Sequence, residues 1–274
     1  MLSTQDNELI TRVGLGTPMG NLMRQYWIPA LLSREVTMDG DALRVLLLGE
    51  KLIAFRDSNG QVGLIANSCP HRGASLFFGR NEECGLRCVY HGWKFDVAGQ
   101  CIDMPNEPAE SNFKHKVKAL AYPCRERNGV VWAYLGPRSD PPPLPDLEAN
   151  MLPAGGWTVS AVQRECNWLQ AMEGDFDTSH AGFLHSGSVR PEEVPPNTFR
   201  YFMLSERAPK YALVDTACGV TYGGYRDAQP GYEYWRIAQF MFPFYAIPPA
   251  GLLGHKIITF CRVPMDDEHT LTIT

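Results

Sequence analysis

No apolar run in these 274 residues approaches the roughly 18 that a membrane span needs, and the N-terminus lacks a signal-peptide pattern. Basic residues show no excess either. The 25 Lys and Arg stand against 30 Asp and Glu, a formal net charge of -5, so nothing favours nucleic acid as a partner. No segment repeats. A membrane-embedded protein and a polyanion binder are thereby set aside, and a cytoplasmic globular protein of one large or two smaller domains is the expectation. Histidine is scarce, with seven in the chain. Four of these seven fall into two short motifs, and those motifs carry the chemistry.

The eight cysteines could in principle pair, but a cytosolic compartment keeps most thiols reduced, and a chain of this size does not depend on staples. Cys101, Cys124, Cys166, Cys218 and Cys261 have no His or Cys at ligand spacing and are expected to be small core residues.

The organisation is expected to be α+β. In residues 1–42, an N-terminal segment, 21–27 suggests a short amphipathic helix ended by Pro29. Gly14 to Gly20 reads as a turn rather than a dinucleotide loop, because its third glycine is one position late and no apolar strand precedes it. Residues 43–136 show short strand-like runs at 43–48, 52–55, 62–66, 94–97 and 130–134, which suggest an antiparallel β domain. The Pro-rich run within 137–148 cannot form helix or central strand and is expected to be a stiff linker at a domain boundary. In 149–274 the strongest helical stretch is 166–176, followed by alternating segments at 211–216, 232–240 and 256–263, an antiparallel sheet with helix.

The first motif is Cys69-x-His71, 16 residues, then Cys88-x-x-His91. A structural Cys2His2 zinc site usually groups its cysteines together and its histidines together. Here each segment supplies one of each. A Rieske 2Fe-2S centre needs that mixture, since one iron is held by two thiolates and the other by two imidazoles. Pro70, Gly73 and Gly92 suit tight loops around such a cluster. Cys84 lies close by, but four ligands are already present, and a buried thiol is expected there.

The second motif runs Glu173-Gly-Asp175-Phe-Asp177-Thr-Ser-His180 and on to His185. Asp177 and His180, three apart, share a helix face. His180 and His185 are five apart, about 140° of rotation, so they converge only if the helix breaks, and Gly182 supplies the break. Two histidines and a carboxylate with open positions make the facial triad of non-haem Fe(II) oxygenases. Two ordinary histidines remain the alternative, and a neighbouring electron-transfer domain weighs against it. The carboxylate could be Asp177 or Glu173, as ligand or as a group that orients an imidazole. Asp175 is expected to point elsewhere, and His115, His255 and His269 to be structural or at the surface.

With both motifs in view, the chain resembles the oxygenase (alpha) subunits of Rieske non-haem iron aromatic-ring hydroxylases. CPHRG with CVYHGW and Asp177-x2-His180-x4-His185 match that family's signatures, and the opening DNELITRVGLGTPMGNLMRQYW looks like the phthalate-dioxygenase branch. The resemblance implies a Rieske cluster on Cys69, His71, Cys88 and His91, with the two cysteines on one iron and the two histidines on the other. It also implies a mononuclear Fe(II) on His180 and His185. Asp177 would bridge His180 to the His91 of a neighbouring subunit in a homotrimer or stacked trimers. The implied partners are a separate flavin and iron-sulfur reductase supplied by NADH, dioxygen, and an aromatic substrate, which is hydroxylated or O-demethylated. A carboxylated aromatic is the expectation, with Arg200, Arg207 and Arg236 as candidates to pair its carboxylate and 240–245 as pocket or core. Family members take a third iron ligand from a later helix. The end of this sequence, 263–274, reads as the start of a strand, so a fragment lacking that ligand is expected. A Rieske-type electron carrier is the alternative, though it would need only the first domain.

Overall fold

The apolar alternation at 43–66 folds into strands as expected, and the computed structural model of the chain describes residues 2–108, 110–249 and 257–274. The chain divides into two compact units, 1–167 with 263–273, and 168–262 with Thr274. The first unit opens with helices α1 (Thr4–Thr11) and α2 (Pro18–Met23). Its strands are β1 (Trp27–Leu32), β2 (Leu43–Leu47), β3 (Glu50–Arg56), β4 (Val62–Ala66), β5 (Arg80–Glu82) and β6 (Gly85–Arg87). They continue as β7 (Lys94–Phe95), β8 (Cys101–Asp103), β9 (Ala121–Tyr122), β10 (Cys124–Arg127), β11 (Val130–Tyr134) and β12 (Ala161–Arg164). The second unit holds helices α3 (Trp168–Phe176) and α4 (Phe199–Ser205), then β13 (Lys210–Thr216), β14 (Gly219–Asp227), β15 (Glu233–Met241) and β16 (Tyr245–Ile247). Along β17 (Phe260–Pro264) the chain returns to the first unit, where β18 (Thr270–Ile273) pairs with β12.

In the first unit the sheets run β1-β11-β10, β2-β3-β4-β9 and β5-β6-β7-β8, all antiparallel. Ile53, Phe55, Ile65, Leu76, Leu86 and Phe95 form a shared core that also contains Cys69 and Cys88. The first motif therefore stands on a packed base, not on free loops. In the second unit the order β17-β16-β15-β14-β13 is an antiparallel meander. The α+β expectation holds. Among the described residues no helix is long and apolar enough to cross a membrane.

Several local expectations are corrected. The first short helix after Gly14 begins earlier, because Thr17 Oγ1 accepts the Gly20 N–H at 3.2 Å and Pro18 suits the first turn. Trp27 already opens β1, an outer strand that tolerates Pro29 at a register irregularity. The Pro-rich run lies inside the first unit rather than between units. Trp27 Nε1 donates to the Pro142 carbonyl at 2.6 Å, Arg127 Nη1 to the Pro145 carbonyl at 3.1 Å, and Leu144 and Leu147 are buried. The C-terminal stretch completes β17 and forms β18, joined by a turn at Asp266–His269. All eight cysteines are free. Cys101 and Cys261 are buried as expected, but Cys218 is exposed after β13, and Cys84 is half-buried in the β5–β6 turn at positive φ. His255 and the start of the segment at 256–263 lie outside the described residues.

Candidate metal centres

The two halves of the first motif adopt the same loop. Cys69 N–H donates to the Ala74 carbonyl at 2.8 Å and Gly73 N–H to the Cys69 carbonyl at 2.9 Å; Cys88 donates to Trp93 at 2.9 Å and Gly92 to Cys88 at 3.0 Å. Each loop turns on a glycine of positive φ, +70° at Gly73 and +76° at Gly92. At Gly92 a Cβ would also meet Pro105 Cγ at 2.5 Å. Arg87 braces the second loop. Its Nη1 donates to the Gly92 carbonyl and to Asp103 Oδ2, each at 2.7 Å, while its Nε donates to Glu82 Oε1 at 2.6 Å.

These loops bring four donors together. The Cys69 and Cys88 thiols are buried and within hydrogen-bonding reach, and the His71 and His91 rings lie 4.5 Å apart. Burial pushes the Cys69 thiol up to about 11 against the opposing backbone N–H of His71, with Cys88 adding to the rise. A thiol buried in this way becomes a thiolate readily only when a cation binds it. Burial, with His91 and Arg72 nearby, holds the His71 imidazole below its ordinary value, which favours the neutral, ligating form. His71 Nδ1 is buried and has no hydrogen-bond partner. Two thiols and two imidazoles, one of them with an orphaned nitrogen, fit a Rieske cluster.

In the second unit α3 is held by Trp168 and Met172, an i, i+4 pair that is buried. The helix stops at Phe176 and the chain turns through a 3-10 segment at His180–Gly182. Gly182 permits this packing: a Cβ there would lie 2.6 Å from the Met203 carbonyl of α4. Asp177 then works as a local cap. Its Oδ1 accepts from Ser179 N–H at 2.7 Å, Ser179 Oγ at 2.5 Å and His180 N–H at 3.3 Å, and its Oδ2 lies 3.3 Å from His180 Nδ1. Burial works to raise the Asp177 carboxyl, but the Ser179 and His180 donors outweigh it and hold the group below its ordinary value.

With Asp177 on Nδ1, His180 presents Nε2 to His185 Nε2 at 3.1 Å. One bridging proton or one metal ion satisfies such a pair. Nitrogens about 2.1 Å from a shared ion, near a right angle, stand about 3 Å apart, so the pair fits a single metal. Both histidines line a cavity of about 380 Å³ with Phe176, Tyr222, Arg200 and Arg236. Among the described residues no three His, Cys, Asp or Glu side chains converge on one point, so each centre offers its donors in pairs.

The other sequence candidates separate clearly. Glu173 is exposed beside a neighbouring groove with Leu213 and Tyr211, away from the histidine cavity. Asp175 is committed to Arg262, whose Nε donates to Oδ2 at 2.7 Å and whose Nη2 reaches Oδ1. Arg207 is exposed and does not line the cavity. Phe240 lines the groove, while Phe244 and Tyr245 are core. His115 sits in a 3-10 turn, and His269 pairs with Asp266 at 2.9 Å. Sequence reasoning missed Trp93, Arg87 and Arg226. Trp93 directly follows the motif's HG, which could have flagged it; the two arginines carry no local signal.

Comparison with known proteins agrees with this geometry. Residues 26–121 match the Rieske [2Fe-2S] domain model, and 133–273 match the model described as LigXa C-terminal domain like. The chain is 50% identical over 272 residues to the 3-chlorobenzoate-3,4-dioxygenase oxygenase subunit of Comamonas testosteroni, covering 99% of this chain and 62% of that protein. It is 40% identical over 281 residues to the phthalate 4,5-dioxygenase oxygenase subunit of Pseudomonas putida, covering 98% and 63%. The chain thus spans about three fifths of the curated relatives it matches. Dicamba monooxygenase bound to dicamba shares the fold, with a TM-score of 0.69 at 20% identity over 91% of this chain and 76% of that one. The paired domains and these likenesses place the chain in the family of Rieske non-haem iron oxygenases.

Proposed function

We propose that the chain is the terminal oxygenase component of a Rieske system, hydroxylating or O-demethylating a carboxylated aromatic compound. The observation that carries this is the His180–His185 pair, nitrogens 3.1 Å apart, opening on a cavity of aromatic size. A pure electron carrier has no use for that cavity. Cys69 and Cys88 would hold one iron of the cluster, His71 and His91 the other, and His180 and His185 the mononuclear iron. When bound, the cluster passes single electrons and the mononuclear iron activates dioxygen.

The chain's own groups do the rest. Asp177 holds His180 in the tautomer whose Nε2 faces the cavity. Phe176 and Tyr222 give the cavity flat apolar walls for an aromatic ring. Arg236 lies over the Phe199 ring at 3.7 Å, which fixes its guanidinium for a carboxylate, and exposed Arg200 adds charge beside it. The names of the 3-chlorobenzoate and phthalate relatives support an aromatic acid. Asp177 keeps a side chain 45% exposed, so it is free to bridge to a neighbour's His91 in a trimer. Electrons would arrive from NADH through a separate reductase, and eight free cysteines suit a cytoplasmic setting.

Iron and acid-labile sulfide on anaerobically purified protein test the reading. Three irons with two sulfides per chain, falling to two and two in His180→Ala, is the expected result. Two irons in the unaltered chain overturn the assignment of the second centre.

A further inference from the structure

One guanidinium lies wholly inside the second unit. Arg226, on β14, is 0% exposed. Its Nε donates to the Glu206 carbonyl at 2.7 Å, its Nη1 to Thr178 Oγ1 at 3.4 Å, and its Nη2 to the Thr178 carbonyl at 3.3 Å. These partners are carbonyl and hydroxyl oxygens rather than carboxylates. A buried cation whose hydrogen bonds go to neutral oxygens is a costly arrangement, so the segments it joins bear on why it is there.

Thr178 follows Asp177 directly and is buried. It is seated twice by β14: through Arg226, and at Gly224, where a Cβ would stand 2.9 Å from Thr178 Cγ2. Glu206 caps the C-terminal end of α4, the helix whose Met203 carbonyl crowds Gly182. One planar fork therefore ties the turn that places Asp177 and His180 to the helix that backs the His180–His185 segment. Lysine cannot copy this, because its single ammonium lacks the fixed donor geometry.

We infer that Arg226 is a positioning residue that sets the His180–His185 separation from behind the site, through Thr178 and Glu206. The inference rests on reading the two histidines as metal ligands. The test uses Arg226→Lys, Arg226→Gln and Thr178→Val in the full chain. Two quantities are measured: Fe(II) affinity of the second centre by anaerobic titration, and the imidazole NMR signals of His180 and His185 in metal-free protein. The visible spectrum of the Rieske cluster serves as the control.

Both Arg226 variants are expected to keep the cluster spectrum, to weaken Fe(II) binding about 10- to 100-fold, and to shift both imidazole signals. Thr178→Val, which removes one acceptor, moves both readouts the same way by less. Unchanged affinity and unmoved signals overturn the inference, even if thermal stability falls. Should the unaltered chain bind no Fe(II) at the second centre, the ligand reading fails, and the imidazole signals alone then decide about Arg226. If the Arg226 variants do not fold, Thr178→Val decides by the same readouts.

Discussion

The indole of Trp93 lies parallel to the His71 imidazole, 4.3 Å between ring centroids and 10° between planes, and its Nε1 donates to Asn106 Oδ1 at 3.0 Å. The stack covers one face of the His71 ring, a proposed cluster ligand, with apolar surface. Reduction adds negative charge to the cluster, and that charge is less stable under a low-dielectric cover. Trp93→Ala admits water and is expected to raise the midpoint potential by a few tens of mV, below the ~59 mV of a tenfold change in a one-electron equilibrium. Potentiometry followed by EPR measures it; an unchanged potential would mean the stack only orients the ring.

Asp177 reaches the histidine pair through His180 Nδ1 and the His180 backbone N–H. Asp177→Ala frees the imidazole to rotate and to take the other tautomer. Fe(II) affinity at the second centre should drop about 10- to 100-fold, with the Rieske absorbance intact. Anaerobic Fe(II) titration reads the first quantity and visible spectroscopy the second.

Arg236 is preset by its stack on Phe199. A hydrogen bond to a charged group contributes about 1.5–3 kcal/mol, so Arg236→Gln should raise KM for an aromatic acid roughly 10- to 100-fold. Because the contact is to a part of the substrate that does not react, kcat should change little. Steady-state rates with an aromatic acid and with its amide separate the two: the amide should show no such loss.

His269 and Asp266 give a pH-dependent contribution in the first unit. The hydrogen bond that His269 Nδ1 donates to Asp266, and the charge of that carboxylate, hold the His269 imidazole above its ordinary value. The folded state therefore binds the proton more tightly than the unfolded state. Its contribution is fully present below the unfolded value of about 6.5 and is lost as pH rises through the raised folded value. Urea midpoints of the unaltered chain should fall across that window, and His269→Gln should flatten this part of the profile.

The candidate donor motifs were readable because each is local. Cys69 and His71, Cys88 and His91, and His180 and His185 each sit within five residues, so spacing alone singles them out. The strands of 43–66 and the helix near 168–176 were legible for the same reason. Arg226 was not, since its partner Thr178 lies 48 positions away and nothing in its neighbourhood marks it. The Pro-rich run misled because its stiffness was visible while its docking against Trp27 was not.

The residue order by itself determined the donor inventory, the two loops and the break at Gly182, because ligand type, positive φ and helical rotation are short-range properties. Only the tertiary structure decided which groups serve them. It committed Asp175 to Arg262 and Asp177 to His180, turned Glu173 away from the cavity, stacked Trp93 on His71, and buried Arg226 behind the histidines. These choices depend on side chains brought together by sheet register and packing, which no local spacing encodes.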